Sequence, residues 1–347
     1  MATMTFYRSL RIRWTRWIMP LGLIVALFLG WLWPTPGKYL DDTPLQSICI
    51  IVIFIISGLE LHLESVRDLV RLWPSATLGL LSILFITPLF ALALRHIPVD
   101  SFVILGLGVF ALSPTTVSTG SVLVAQCRGN MPLSLFFTVF SNVLAVFTIP
   151  FLLPVLLLGP NSGVSFTLNP TDILLQLTYL VLIPLCAGRI ILRPITIVRL
   201  WSERHKLFLK LFCILLLIII PWMKMSSSIT AFNKISAAQI FLTAAIGIAM
   251  HLSFIAFNWT MALLCCFKPD VTKAVVIMCS QKTLTVGFAV LASLPNSQDG
   301  LYAIPIIIGH LVQLVIDSIL ASRWDVKDKK SARSMAEPTE LISVPPA

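Results

Sequence analysis

The chain has 347 residues, of which 57% are hydrophobic and only 12% are charged, with a mean hydropathy of +0.94 and a formal net charge of +10. A soluble globular domain carries about 25% charged residues, so this composition excludes one and predicts a protein that lies mostly within a membrane. The positive charge does not indicate a nucleic-acid-binding protein, because the basic residues are spread over the loops that connect apolar segments.

The apolar segments predict the membrane spans. A spanning helix needs about 20 mainly apolar residues, and we predict ten such spans, at residues 17–35, 44–63, 73–96, 102–127, 132–158, 171–193, 207–226, 238–264, 270–293 and 301–322. We expect the first span to be retained rather than cleaved as a signal peptide, because it ends in the bulky sequence WLWPTPG where a cleavage site needs small residues. The predicted fold class is therefore an all-α polytopic membrane protein.

The Lys and Arg residues are distributed unevenly among the connecting loops. With the N-terminus in the cytoplasm, 20 of the 25 basic residues fall on the inner side, four fall on the outer side, and Lys282 falls within a span. The positive-inside rule describes this asymmetry, so we expect both termini to be cytoplasmic. We predict one membrane domain over residues 1–323 and a disordered cytoplasmic tail over 324–347, because the tail is polar and contains proline.

Two polar segments interrupt apolar spans at equivalent places in the two halves of the chain. LSPTTVSTG, residues 112–120, lies in the fourth predicted span, and CSQKTLTVG, residues 279–287, lies in the ninth, which is the fourth of the second half. The shared spacing involves Ser113, Thr116, Ser118 and Gly120 in the first segment and Ser280, Thr283, Thr285 and Gly287 in the second. Because five spans is an odd number, repeats over 17–158 and 171–322 would have opposite orientations, as in many secondary transporters.

The composition of both segments predicts helices that are broken inside the membrane. Pro114 removes a backbone donor, and Gly120 and Gly287 lower the cost of leaving helical geometry. Unwound backbone is tolerated there only where it faces protein or a water-filled cavity. Freed carbonyls and neighbouring hydroxyls would then form an oxygen-rich site for a small cation or a polar solute. The alternative is that Ser, Thr and Gly serve close helix contacts; their paired occurrence favours a binding site.

Lys282 lies within the second polar segment. An ammonium group at the centre of a bilayer costs about 2.5–3.5 kcal/mol on insertion scales, so we expect it to face a cavity or a partner rather than lipid. Three functional roles are open: it occupies the place of a coupling cation, it attracts an anionic substrate, or it carries a proton. The alternative is a structural link to freed carbonyls of the unwound segment.

Further polar residues lie within the spans at helical spacing. His310, Gln313 and Asp317 are predicted to share one face of the last span and to line a cavity. His251 and Asn258 share a face of the eighth span. In the fifth span a polar stripe that could reach the first broken segment consists of Ser134, Thr138, Ser141 and Asn142. No nucleophile or metal ligand accompanies His310 and Asp317 in the sequence, and the seven Cys lack metal-ligand spacing, so we predict neither an enzyme nor a resident cofactor.

At these residues the chain resembles the bile acid:sodium symporter superfamily, most of all the branch of sodium/bile acid cotransporter 7. The stretches that carry the resemblance are FIISGLELHLESVRDL (54–69), SPTTVSTGSVLVAQCRGN (113–130), LFFTVFSNVLAVFTIPFLLP (135–154), CSQKTLTVG (279–287) and PIIIGHLVQLVIDSIL (305–320). The resemblance implies ten helices in two inverted five-helix repeats, with helices four and nine broken and crossing. It further implies that a core of helices 3–5 and 8–10 moves against a panel of helices 1, 2, 6 and 7 and that organic anions pass with sodium.

The resemblance also implies positions for sodium. Carried across by position, the first sodium site falls at Gly120, Ser121, Ser134 and Thr138. The second site's acidic and amide ligands fall at Met278 and Lys282, so both are lost and a positive charge takes their place. This departure puts sodium coupling through the second site in question.

The leading hypothesis is a secondary active transporter of small organic anions, coupled to sodium or protons, with the lipid bilayer and the anion as partners and no nucleic acid. The alternative is a regulatory membrane protein that modulates cellular calcium without transporting a solute. The residues predicted to bind the ion or the substrate are Thr116, Ser118, Gly120, Ser121, Ser134, Thr138, Asn142, Gln281, Lys282, Thr283, His310 and Gln313. Among them, Ser121, Ser134 and Thr138 would be sodium ligands.

Overall fold

The computed structural model of the protein describes residues 19–60, 72–116, 119–157, 169–233, 235–294 and 300–336. The regular elements within these ranges are helices, which confirms the all-α prediction. In chain order they are α1 (Met19–Leu32), α2 (Pro34–Asp41), α3 (Leu45–Glu60), α4 (Trp73–Leu94), α5 (Ser101–Leu112), α6 (Thr119–Gln126), α7 (Met131–Leu157), α8 (Pro170–Leu192), α9 (Thr196–Arg204), α10 (Lys206–Ser227), α11 (Ile229–Phe232), α12 (Ala237–Leu264), α13 (Pro269–Ser280), α14 (Leu284–Ala292) and α15 (Ala303–Ala336).

Seven of the described helices are long and apolar enough to cross a membrane, counting α13 and α14 together, and α1 with α2 would be an eighth if that bent pair is one span. The apolar helices α3 and α5 are shorter. A helix or helix pair therefore lies at each of the ten predicted positions, although fewer satisfy the length criterion. Large apolar side chains such as Phe28, Tyr179 and Phe241 are exposed on the helices, which suits contact with lipid. The protein is a multi-pass integral membrane protein.

The first predicted span, 17–35, is not one straight helix. α1 and α2 meet at an angle of 100° at Trp33, whose backbone (φ −136°, ψ 76°) is not helical. The cause is Pro34, which occupies the first turn of α2. Proline disfavours helical geometry in the residue before it and is well tolerated at the start of a helix, so the chain ends one helix and begins another.

The last helix extends past the predicted boundary at residue 324. α15 continues to Ala336, so residues 324–336 are helical, and residues 337–347 lie outside the described part of the chain. Lys273 Nζ lies 2.6 Å from Asp328 Oδ2, and the ring of Trp324 packs at 5.2 Å from that of Trp259. These contacts with α13 and α12 hold the first turns of the extension against the rest of the protein, which polarity alone did not reveal.

The helices form two groups. In the first group α2 packs on α10, and α3 packs on α8. Gly58 and Gly188 lie where these last two helices touch, and a Cβ on either one would overlap a backbone carbonyl of the opposite helix. In the second group α4–α7 pack with α12–α15. The segment formed by α13 and α14 is surrounded by protein, with its interior residues buried along both helices.

A π-helical turn in α4 leaves one backbone carbonyl without its usual donor. Residues Ser82–Ile86 form the π turn, so the N–H of Thr87 donates to Ser82 rather than to Ile83. The next candidate donor for the Ile83 carbonyl is residue 88, which is a proline without an N–H. The Ile83 carbonyl is buried, and within its own helix only the Thr87 hydroxyl reaches it, at 3.4 Å, while the same hydroxyl lies closer to the Ser82 carbonyl, at 2.8 Å.

Candidate functional site

The two predicted breaks are present, and they contact each other. Residues 113–118 separate α5 from α6, and residues 281–283 separate α13 from α14. Ser113 and Gln281, the first residues after each preceding helix, have extended backbones (ψ 145° and 142°). The N–H of Thr283 donates to the carbonyl of Pro114 at 2.9 Å, so a backbone hydrogen bond joins the two breaks. We call this contact between the two breaks the crossing.

The first break receives donors from α7. Asn142 Nδ2 donates to the carbonyl of Thr115 at 3.1 Å, and the Thr138 hydroxyl donates to that of Thr116 at 3.5 Å. Near the start of α6, the Ser134 hydroxyl donates to Ser121 Oγ at 2.9 Å. The predicted contact between the polar stripe of α7 and the first broken segment is therefore confirmed.

The second break is held by one amide side chain. Gln313 Oε1 accepts from the N–H of Lys282 at 2.9 Å, and Gln313 Nε2 donates to the carbonyl of Lys282 at 2.6 Å. His310 Nδ1 lies 2.8 Å from the same Gln313 nitrogen and 3.2 Å from the Lys282 carbonyl. A single side chain of α15 thus bonds to both backbone groups of Lys282, the middle residue of the break.

The glycine of each segment packs against the opposite break. A Cβ on Gly120 would lie 2.7 Å from Met278 Sδ and 2.8 Å from Gln281 Oε1. A Cβ on Gly287 would have Ser113 Oγ as its nearest neighbour, at 3.3 Å. The two segments therefore make reciprocal contacts, and Gly120 is the more tightly enclosed of the two glycines.

Gly120→Ala is expected to lower the melting temperature and to push the two broken segments apart, because the new methyl group overlaps Met278 and Gln281. Overpacking of this kind costs about 1–3 kcal/mol. Thermal melts of the purified variants measure the effect. The matched control is Gly247→Ala in α12, where a Cβ would meet only Gly309 Cα at 3.6 Å. Equal melting temperatures for the two variants would contradict the close approach.

Lys282 points away from the breaks and into α4. Its Nζ donates to the carbonyl of Ile83 at 2.9 Å and lies 5.7 Å from the ring centre of Phe254 on α12. In the part of the chain that the structure describes, no carboxylate forms an ion pair with it. The ammonium group therefore supplies the donor that the π turn and Pro88 remove. The structural link considered from the sequence exists, but its acceptor belongs to α4 and not to the unwound segment.

The other polar residues of α12 and α15 also meet. His251 Nε2 lies 2.9 Å from Asp317 Oδ1, and Gln281 Nε2 donates to Asp317 Oδ2 at 2.8 Å. Asn258, on the same face as His251, accepts from the Ser82 hydroxyl at 2.6 Å. The predicted shared faces of these two helices are confirmed, and the residues on them are buried.

A small cavity lies beside the crossing. Its volume is about 10 Å³, and it is lined by Met19, Thr116, Thr119, Leu217, Thr283, Leu284, Thr285 and His310. His310 Nε2 has no hydrogen-bond partner within the described ranges. A larger cavity of about 350 Å³ lies near Asp100 and Gln239, away from both breaks, and contains none of the predicted site residues. The small cavity is the candidate solute site because both broken segments line it.

Several buried oxygens near the first break have no donor. Within the described residues, Thr115 Oγ1, Ser141 Oγ and Asn142 Oδ1 lack hydrogen-bond partners. The same part of the chain contains no group of three or more His, Cys, Asp or Glu side chains able to hold a metal. Neutral oxygens of this kind suit a hard monovalent cation better than a transition metal.

Comparison with known proteins identifies the family. A sequence model of the SBF-like CPA transporter family matches residues 17–326. The chain belongs to this family. The resemblance to bile acid:sodium symporters is thereby confirmed, and the protein is a membrane transporter by family.

Three relatives illustrate the similarity to other members of the SBF-like CPA transporter family. The probable sodium/metabolite cotransporter BASS4, chloroplastic, of Arabidopsis thaliana is 35% identical over 88% of this chain and 72% of its own length. Sodium/bile acid cotransporter 7 of Mus musculus is 27% identical over 93% of this chain and 97% of its own. Sodium/bile acid cotransporter 7-B of Xenopus laevis is 25% identical over 92% and 95%. All three names describe cotransporters, and none describes a calcium regulator or an enzyme.

The structure brings most of the predicted site residues together. Eleven of the twelve lie at or beside the crossing, and Ser118 lies outside the described residues. Sequence reasoning missed the apolar lining from Met19 and Leu217 and the acceptor at Ile83. Pro88 signals that a carbonyl of the preceding turn lacks a donor, but the usual helical pattern points to Leu84, and only the π turn shifts the position to Ile83.

Proposed function

We propose that this chain is a secondary active transporter of small organic anions, coupled to sodium or protons, and not an enzyme. The observation that carries the proposal is the hydrogen bond from Thr283 to Pro114, which joins two broken helices beside a cavity. Crossed, broken helices of this kind form the ion and substrate sites of secondary transporters. The names of the relatives, sodium/metabolite and sodium/bile acid cotransporters, support the same class of activity.

The proposed architecture is a ten-span membrane domain of two inverted repeats, over about 17–158 and 171–322, with both termini in the cytoplasm. The broken pair α5–α6 occupies the fourth position of the first half, and α13–α14 occupies the fourth position of the second. The reciprocal glycine contacts support a pseudo-two-fold relation between the halves. The short helices α3 and α5 would then count as parts of spans.

The size of the cavity supports alternating access. Met19 of α1 and Leu217 of α10 line it from one helix group, and Thr116, Thr283 and His310 line it from the other. A volume of about 10 Å³ holds roughly one water molecule. Pockets for organic ligands measure about 300–1,000 Å³, so the two groups must separate to admit a solute. A panel of α1–α3, α8 and α10 would move against a core of α4–α7 and α12–α15.

The chemistry of the crossing favours an anion. Lys282 carries a positive charge without a carboxylate partner among the described residues. Thr116, Thr119, Thr283, Thr285 and His310, whose Nε2 has no partner among the described residues, line the small cavity, and Lys282 does not. Separation of the two helix groups would let a carboxylate meet the donors of the cavity, and the charge of Lys282 in the adjacent break would favour an anion there. Charge-assisted hydrogen bonds of this type are roughly twice as strong as neutral ones.

The proposed sodium site lies between α6 and α7. Its ligands would be the hydroxyls of Ser121, Ser134 and Thr138 with backbone oxygen at Gly120. The hydroxyl oxygens of Ser121 and Ser134 are 2.9 Å apart, which is within the reach of one ion. A second sodium site is not proposed, because Met278 and Lys282 replace its side-chain ligands.

The proposal predicts sodium-specific stabilisation of the purified protein. Melts in sodium chloride and in choline chloride at equal ionic strength should differ, because a ligand that binds only the folded state stabilises it by about 2.7 kcal/mol at a hundredfold excess over its dissociation constant. Thr138→Ala should remove the difference. Thr178→Ala is the matched control, because Thr178 bonds only to Leu174 within α8.

Transport is tested with the same protein in liposomes. An inward sodium or proton gradient should drive uptake of at least one probe from a panel of pyruvate, propionate and cholate. No uptake of any probe under either gradient would contradict the proposed substrate class. If uptake is present but the melting temperatures in the two salts are equal, sodium is excluded as the coupling ion and the proton takes that role.

A further inference from the structure

We propose that the buried pair His251–Asp317 binds and releases one proton during the transport cycle, so that the protein carries a proton together with its organic anion. The inference rests on the proposed transport function and deepens it, because it assigns a site to a coupling ion. Its support lies in the geometry of α12, α13 and α15.

The His251–Asp317 pair has the least solvent-exposed side chains of the ion pairs among the described residues. His251 Nε2 and Asp317 Oδ1 are 2.9 Å apart, and the two side chains are 2% and 0% exposed. The three other described ion pairs each include a side chain that is at least 11% exposed. A carboxylate placed so far from water is rare inside a membrane protein, and such residues mark ion or proton pathways.

A directed chain of hydrogen bonds connects the pair to both broken helices. The N–H of Gly120 donates to Thr116 Oγ1 at 2.9 Å, and that hydroxyl donates to Gln281 Oε1 at 2.7 Å. Gln281 Nε2 then donates to Asp317 Oδ2 at 2.8 Å. In this orientation of the Gln281 amide, each group donates to the next one along the chain, and Asp317 is the acceptor at its end.

The histidine provides the place for the proton. With Asp317 as an ionised acceptor, His251 Nε2 carries a hydrogen and donates to Oδ1. His251 Nδ1 is buried and has no partner within the described ranges. A proton from water would form an N–H bond at Nδ1, and the pair would change from a net charge of −1 to zero. Release breaks the same bond and returns the proton to water.

The charges around the His251–Asp317 pair would link the binding of the proton to the binding of the organic anion. His310 on α15 interacts electrostatically with His251, and Gln281, the residue before Lys282, joins Asp317 to the second break; Cys279 at the end of α13 is the other titratable group there. In the charge state with Lys282 protonated and Asp317 ionised, the two charges cancel when both histidines are neutral. A proton on His251 leaves one net positive charge there, and a monovalent organic anion would neutralise it. Binding of the proton and of the anion therefore favour each other.

The test measures the protonation state of His251 directly. Protein labelled with ¹⁵N-histidine in lipid is titrated between about pH 5 and 8, the range in which histidine changes charge. One imidazole signal should convert from a neutral form to imidazolium and be absent from His251→Gln. In Asp317→Asn the conversion should be lost, because the counter-charge is gone. His205→Gln at the end of α9, the control, should keep the His251 signal and its titration, because His205 contacts Trp201 and not the pair. A His251 that holds one protonation state throughout would overturn the proposal.

A second arm separates this inference from the transport function. Liposomes containing the protein and the pH dye pyranine receive the pyruvate, propionate and cholate panel. Uptake with internal acidification that falls at least tenfold in His251→Gln supports proton coupling. Uptake without acidification overturns the proposal and leaves the transporter intact. Absence of uptake contradicts the proposed substrate class, and the ¹⁵N titration then decides proton binding alone. Melting curves of each variant establish that it is folded.

Discussion

Lys282→Met is expected to reduce uptake of the organic anion by about 10- to 100-fold while the protein remains folded. Hydrogen bonds to charged groups contribute about 1.5–3 kcal/mol, and loss of one such interaction with an anion corresponds to this range. The lost bond to Ile83 is offset in part, because the variant no longer buries an ammonium group. Uptake by liposomes at a fixed gradient measures the effect, and a thermal melt measures folding.

The matched control for Lys282 lies nine residues earlier in the sequence. Lys273→Met removes a lysine of α13 that is also mostly buried and that pairs with Asp328. It should leave uptake within about a factor of two, because that ion pair lies at the far end of the helix from the crossing. Unchanged uptake in Lys282→Met, or equal losses in the two variants, would contradict a role for the Lys282 charge in transport.

Gln313→Leu is expected to give the largest loss of stability among the site variants. The change leaves the N–H of Lys282 without a partner and leaves its carbonyl only the longer contact with His310 Nδ1 at 3.2 Å; an unsatisfied buried group costs about 1–3 kcal/mol, so the free energy of unfolding should fall by about 2–4 kcal/mol. Water cannot replace the amide, because Gln313 and Lys282 are fully buried. Unfolding of the detergent-solubilised protein, followed by melting temperature and by the fraction that elutes as a monodisperse peak, measures the loss.

Gln46→Leu provides a graded comparison. Gln46 is also buried, but its Nε2 makes one hydrogen bond to a backbone carbonyl, that of Phe288 at 3.2 Å. This variant should lose about half as much stability as Gln313→Leu. If Gln313→Leu is no less stable than Gln46→Leu, the second break does not depend on the amide of α15.

The breaks in the helices were predictable, because their cause is local. Pro114, the two glycines and the run of hydroxyl residues act on the backbone within a turn or two of their own positions. The polar stripe of α7 was predictable for a similar reason, since helical spacing alone places Ser134, Thr138 and Asn142 on one face. These features required no knowledge of how distant helices pack.

The partners of buried groups were not predictable, because they depend on contacts between residues far apart in the sequence. Lys282 and Ile83 are separated by 199 residues, and only the packing of α4 against the second break brings them together. His251 and Asp317 share no local pattern that would pair them. The apolar lining from Met19 and Leu217 was equally hidden, since an apolar residue that faces a cavity has the same composition signal as one that faces lipid.

The length of α15 has a mechanical consequence. Its 34 residues extend about 51 Å at about 1.5 Å per residue, roughly 20 Å more than the hydrocarbon thickness of a bilayer. Because the same helix carries His310, Gln313 and Asp317, its protruding end is joined to the crossing by continuous helix. In the proposed mechanism, any tilt of the core bundle swings that end through an arc outside the membrane. The end of α15 therefore makes the position of the buried site accessible to distance measurements in solution.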